Sequence, residues 1–222
     1  MNVKVAVIYY SATGAVHALA QALAEGAAST GASVRLRPVN ELARDEVIDQ
    51  NPLWRRHVDA TASVTKGTVE DLVWADAFAF GTPTRFGTPA APLKQFIDQT
   101  GALWRAGKLA DKPVTAFTSA FNRHGGSEAT ILALGNVFYH WGALIVPPGF
   151  TDATVYAAGG NPYGTSSTGD GPDATVLAAA RYQGQRLARI TSRLLEGGRV
   201  AAGAANRGDG PASQVETASR AA

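Results

Sequence analysis

The chain has 222 residues, of which 45% are hydrophobic, and its 20 basic and 18 acidic side chains leave a formal net charge of +2. That is enough apolar material for one domain, or one domain plus a tail, and the absence of cysteine excludes disulfides, thiolate metal sites and a cysteine nucleophile. No signal peptide, no apolar run of about eighteen residues for a membrane span and no basic stripe for nucleic acid is found, so a cytoplasmic protein is expected.

Val3–Tyr10 is a continuous apolar run and predicts a buried strand. Ala15–Ser29 follows with apolar residues at helical spacing, and Ser33–Val39 alternates like an outer strand. Residues 40–66 are polar and irregular and predict a long loop with one helical turn. Next come a short helix over Thr68–Trp74, a buried strand over Ala77–Phe80 and a helix over Pro89–Gln99. Pro113–Ser119 reads as a strand, Ser127–His140 as a helix and Ala143–Val146 as a last strand. A Gly/Pro/Asn/Ser-rich stretch over Phe150–Pro172 precedes a long amphipathic helix over Asp173–Glu196. From Gly197 the large apolar residues are gone apart from two valines, which predicts a disordered, low-complexity tail over 197–222 after a domain over 1–196. Alternating strands and helices with buried strands imply an α/β fold, a parallel sheet covered on both faces. Right-handed crossovers and a nucleotide-type turn after the first strand make it doubly wound and five-stranded, in the order 2-1-3-4-5.

Ligands of such sheets bind beyond the carboxyl ends of the strands, where three loops converge. The first, Ser11-Ala12-Thr13-Gly14-Ala15-Val16, opens a helix, whose free N–H groups and dipole favour an anion. It has two hydroxyls and no Lys or Arg, which disfavours a triphosphate and fits one phosphate group held by neutral donors. The same residues also serve as an ordinary helix cap. The second loop holds Thr82, Pro83, Thr84, Arg85, Phe86 and Gly87. It offers a ring for stacking on a planar heteroaromatic and a positive charge beside it, or it is a plain proline-containing connector. The third, with Ser119, Ala120, Phe121, Asn122, Gly125 and Gly126, has glycines that suit close approach to a flat ligand.

At these residues the sequence resembles a known family. Tyr9-Tyr10-Ser11, GTPTRFG over Gly81–Gly87, FIDQTGALW over Phe96–Trp104 and ARYQG over Ala180–Gly184 are similar to the WrbA family over residues 3–196. These are flavodoxin-like NAD(P)H:quinone oxidoreductases, first named as Trp-repressor-binding proteins. The resemblance implies a flavodoxin-like fold and FMN, with the phosphate in Ser11–Val16 and the isoalloxazine against Thr84, Arg85 and Phe86. Ser119 and the residues after it would complete the far side of the ring. It implies NADH or NADPH as donor, a quinone as acceptor, and a homotetramer (a dimer of dimers) in which neighbouring subunits help build each site. His140 matches a histidine at the family's flavin site, and Trp104 matches a tryptophan of its substrate pocket. By themselves, His140 reads as a structural histidine and Trp104 as core or interface. The chain departs from the family at Thr13, where relatives commonly carry Tyr, in the bulkier loop at 119–127, and over Asp45–Ser63.

The expected mechanism is a two-electron, ping-pong transfer through the flavin, with His140 hydrogen-bonding a quinone oxygen. Two rivals belong to other classes. A flavodoxin-type single-electron carrier needs a charged docking face, which the near-neutral chain lacks. A repressor-associated binding protein needs a partner surface that no sequence feature marks. Four histidines without ligand spacing predict no metal site, and no G-x-S-x-G elbow supports a serine nucleophile.

Overall fold

The computed structural model describes residues 2–206. Five strands form a parallel path: β1 (Lys4–Tyr9), β2 (Ser33–Pro38), β3 (Ala77–Arg85), β5 (Pro113–Ala120) and β6 (Leu144–Ile145). Their spatial order is β2-β1-β3-β5-β6, the doubly wound order expected from the alternation of strands and helices. Two short strands are added. β4 (Thr88–Pro89) runs antiparallel to β3, and β7 (Ser166–Thr168) continues the sheet beside the upper end of β5.

Side-chain alternation along the central strands divides the core in two. Ala6, Ile8, Phe78, Phe80, Val114 and Ala116 point to one face. There they meet Leu72 of α4 (Val69–Trp74), Leu93 and Phe96 of α5 (Ala91–Asp98), and Leu134, Phe138 and Trp141 of α7 (Ser127–Trp141). Val5, Val7, Ala77, Ala79 and Phe117 point to the other, covered by α1 (Ala15–Ala28) and α9 (Ala174–Asn206).

Those two helices cross unusually closely. A Cβ on Gly184 would stand 2.0 Å from the Leu23 carbonyl oxygen, and one on Gly26 would stand 2.0 Å from the Arg181 oxygen. Beside this crossing Gln183 is buried and bonds Thr115 Oγ1, the Ala116 oxygen and the Thr165 amide. The ARYQG motif is therefore a structural lock between α9, α1 and β5.

Three expectations change. Residues 40–66 hold two helices, α2 (Asp45–Ile48) and α3 (Pro52–Ala60), instead of a loop with one turn. Asn51 caps α3 by accepting from the Leu53 and Trp54 amides, Pro52 opens it, and Arg55 ties it to Asp45 and Asp49. Strand β3 runs five residues past Phe80, through Pro83. The proline is tolerated because its missing N–H falls beyond Tyr9–Gly81, the last β1–β3 pair. Helix α9 passes the boundary expected at Gly197 and runs to Asn206; the rest of the expected tail lies outside the described residues.

Candidate active site

The carboxyl edge of the sheet carries a cleft of about 210 Å³ where the three predicted loops meet. Ser11, Ala12, Thr13, Ala15 and Val16 come from the β1–α1 turn, and Pro83, Thr84 and Arg85 from the end of β3. Ser119, Ala120 and Phe121 come from the end of β5, and Gly169 from the segment after β7.

The first wall is a helix start with free donors. Gly14 stands at the N-cap of α1 with φ of 102°, a conformation that suits glycine, and no side chain caps the helix. Ser11 Oγ accepts from the Gly14 amide at 3.1 Å, which leaves the following first-turn amides available to an outside acceptor. Together with the positive end of the peptide dipole these amides suit an anion.

The second wall is a hairpin under strain. Phe86 and Gly87 join β3 to β4 with φ of 53° and 76°, the two positive values of a type I′ turn. A phenylalanine rarely adopts that conformation, and here its ring is fully exposed to solvent. Thr84 Oγ1 accepts a 2.6 Å hydrogen bond from Thr130 of α7, and the Thr84 carbonyl accepts from Arg85 at 3.1 Å. Thr82 is fully buried and bonds the Ala90 amide and the Pro83 oxygen, so it braces the hairpin and does not face the cleft.

The third wall is the β5 end. Ser119 pairs with Ser167 of β7, and the Phe121 carbonyl accepts from the Gly169 amide at 2.9 Å, while the Phe121 side chain is exposed. Asn122, Gly125 and Gly126 do not line the cleft. Gly126 opens α7 with φ of 88°, and a Cβ there would stand 3.0 Å from Gly87 Cα. The glycine lets this loop close against the hairpin turn.

Behind the first wall lies a polar chain that the sequence did not announce. Tyr9 Oη and His17 Nδ1 are 2.5 Å apart, and the His17 and His57 rings lie 5.3 Å apart. His57, from α3, brings Nδ1 to 3.7 Å from where a Cβ on Gly14 would stand. Burial pulls the His57 pKa down to about 4, helped by His17 and Lys66 and opposed by Glu41. Burial also lowers His17 and raises Tyr9 well above the usual phenol range. Tyr10 is raised by burial and then by Glu41, to which it and Trp54 Nε1 each donate at 2.9 Å. The signal for His57 was the Asn51-Pro52 cap that opens α3, and the signal for Gly169 was the Gly-rich segment before α9.

His140 and Trp104 are not brought to this cleft. They line a second one of about 380 Å³ beside α5, α6 (Gly101–Arg105) and α7, where Trp104 Nε1 donates to the His140 carbonyl at 2.8 Å. Both side chains are exposed. Among the described residues no group of three or more His, Cys, Asp or Glu is placed to hold a metal, and no helix is long and apolar enough to cross a membrane.

Comparison with known proteins agrees with this architecture. A solved WrbA-like flavodoxin from Agrobacterium tumefaciens superposes with a TM-score of 0.62 at 23% identity, over 86% of this chain and 99% of that one. A protein of Deinococcus radiodurans named NAD(P)H dehydrogenase (quinone) is 43% identical over 87% of this chain and 98% of its own length. One of Sinorhizobium fredii with the same name is 44% identical over 87% of this chain and 99% of its own length. Residues 3–156 match the NADPH-dependent FMN reductase family. The chain belongs to that family, among relatives that carry the name NAD(P)H dehydrogenase (quinone).

Proposed function

We propose that the cleft binds FMN and that the protein reduces quinones to hydroquinols at the expense of NADH or NADPH. The observation that carries this reading is the meeting of an uncapped helix start with Thr84 and Arg85 of the β3 end in one cleft, at the edge where flavodoxin-like sheets hold ligands. The residues present suit the group. The first-turn amides of α1 with the Ser11 and Thr13 hydroxyls take the phosphate. Thr84, Arg85 and Phe86 receive one side of the ring system, and Ser119–Phe121 the other, with Asn122, Gly125 and Gly126 holding that loop in place.

Bound FMN supplies the chemistry of accepting a hydride from the nicotinamide and passing two electrons to the quinone. The protein's part is binding and electrostatics. Arg85 puts a positive charge beside a ring system that gains electrons, an effect strengthened when substrate excludes water from the cleft. His140 donates a proton from an imidazole nitrogen to a quinone oxygen, and Trp104 walls the substrate. In this reading both reach a neighbouring subunit's cleft within a homotetramer, a dimer of dimers. Their exposure in a separate depression supports this, as do the exposed Leu132 and Tyr139 of α7 and Leu144 and Ile145 of β6. One cleft serving both substrates in turn gives ping-pong kinetics, with parallel double-reciprocal lines.

The test is a spectrophotometric titration. The purified protein mixed with FMN should give a yellow complex that NADH bleaches and a benzoquinone restores. A chain that stays colourless after FMN is added and the free flavin removed would overturn the reading.

A further inference from the structure

We infer that His57, backed by His17, is the charge reserve of the phosphate site: a phosphate monoester docking on the α1 N-terminus binds together with a proton taken up by this imidazole pair. The inference rests on the FMN reading above.

A phosphate monoester at neutral pH carries a charge near −2. Residues 11–16 offer it no cation. Among the described residues Arg85 is the one cationic side chain lining the cleft, and it stands on the hairpin wall, bonded to the Thr84 carbonyl. The basic groups at the turn itself come from elsewhere. His17 is the third residue of α1, and His57 reaches Gly14 from α3, the helix fixed by the Asn51 cap and the Arg55 ion pairs. The sequence reading of a site with neutral donors alone missed them because both lie outside the turn.

The charged and titratable groups facing His57 come from several elements. His17 lies on α1, Glu41 in the segment before α2, Lys66 in the segment before α4 and Tyr10 at the end of β1. On α3 itself, Arg55 is committed to Asp45, Asp49 and Asp59, and Arg56 is exposed. Without an anion, burial and the two basic neighbours hold His57 neutral at pH 7. A dianion at the head of α1 reverses the sign of the local field and favours imidazolium. Tyr9 keeps its proton and holds His17 through Nδ1, and of the two imidazoles His57 is the one whose Nδ1 faces Gly14, so the field of an anion at the turn acts on it most directly.

The sign of the linkage follows. The His57 pKa is low in the free protein and raised in the complex, so binding takes up a proton at pH values between the two. FMN affinity therefore rises as pH falls within that window and loses the contribution above the raised pKa. The phosphate itself titrates near pH 6 when free, and the comparison with His57→Gln separates a proton taken up by the phosphate from one taken up by the imidazole.

The experiment is calorimetric titration of the flavin-free full chain with FMN at pH 7.5, in two buffers of different ionisation enthalpy. Riboflavin, which lacks the phosphate, is titrated in parallel. About one proton should be taken up with FMN and none with riboflavin. His57→Gln should abolish the uptake and weaken FMN about 30-fold while leaving riboflavin affinity unchanged. The riboflavin result also reports that the variant is folded, and the wild-type comparison needs no variant. Equal uptake for FMN and riboflavin, no uptake by the wild type, or unchanged uptake in His57→Gln would overturn the inference. Failure of the wild type to bind FMN at all would overturn the FMN reading with it, and the first titration separates that case from the others.

Discussion

Phe86 combines two conditions that folding alone disfavours: a left-handed backbone and an aromatic ring left in water. Among the described residues no packing of the ring repays either, since Gly87 and Thr88 would close the same turn around a residue better suited to it. Asparagine tolerates the left-handed region and is a preferred residue of type I′ turns. Phe86→Asn should therefore stabilise the flavin-free protein by about 1 kcal/mol, a rise of a few degrees in Tm. The same change removes a stacking face and should weaken FMN about tenfold. Thermal unfolding of the flavin-free variant and an FMN titration read the two effects separately. A lower Tm in the flavin-free form would mean that the ring contributes to the fold itself.

At the scale of elements, the α1–α9 crossing packs the helix whose N-terminus is the proposed phosphate site. Gly184 lies against the Leu23 backbone, so Gly184→Ala must push α9 away from α1 and drag on the Gln183 bonds to β5. A loss of about 3 kcal/mol is expected, read as a fall in Tm or in the denaturation midpoint. The strands flanking this crossing were legible because buried parallel strands are continuous apolar runs, as in Val5–Tyr9 and Ala77–Phe80. Helix α3 was not legible from periodicity, since it has no fully buried residue and packs mainly through Trp54. Its signal was local, in the Asn51-Pro52 pair. The length of β3 was hidden for the opposite reason: Thr82-Pro83-Thr84 has the composition of a loop, but Thr82 and Pro83 pair with β5 and Thr84 with β4. Only knowing where β1 stops makes Pro83 harmless.

At the scale of the whole molecule, what could be read of the site followed from where its residues lie. The ends of β1, β3 and β5 are brought together by the sheet, so Ser11–Val16, Thr84–Arg85 and Ser119–Phe121 could be placed from strand order alone. Gly169 and His57 depend on β7 and α3, which carry weak periodic signals, and so the sequence left them out. In the proposed function His140 and Trp104 act on a neighbouring subunit's cleft, and this yields a sharp test. If each site takes Arg85 from one subunit and His140 from another, two different lesions can be separated onto different chains. His140→Gln alone should lower kcat about 10²-fold, and Arg85→Ala alone should also be strongly impaired. When the two variants are unfolded and refolded together in equal amounts, random pairing puts an intact Arg85 beside an intact His140 in one half of one half of the sites. Activity should then recover to about a quarter of the wild-type value. If His140 acts within its own chain, every site keeps one lesion, and the mixture gives only the average of the two variants.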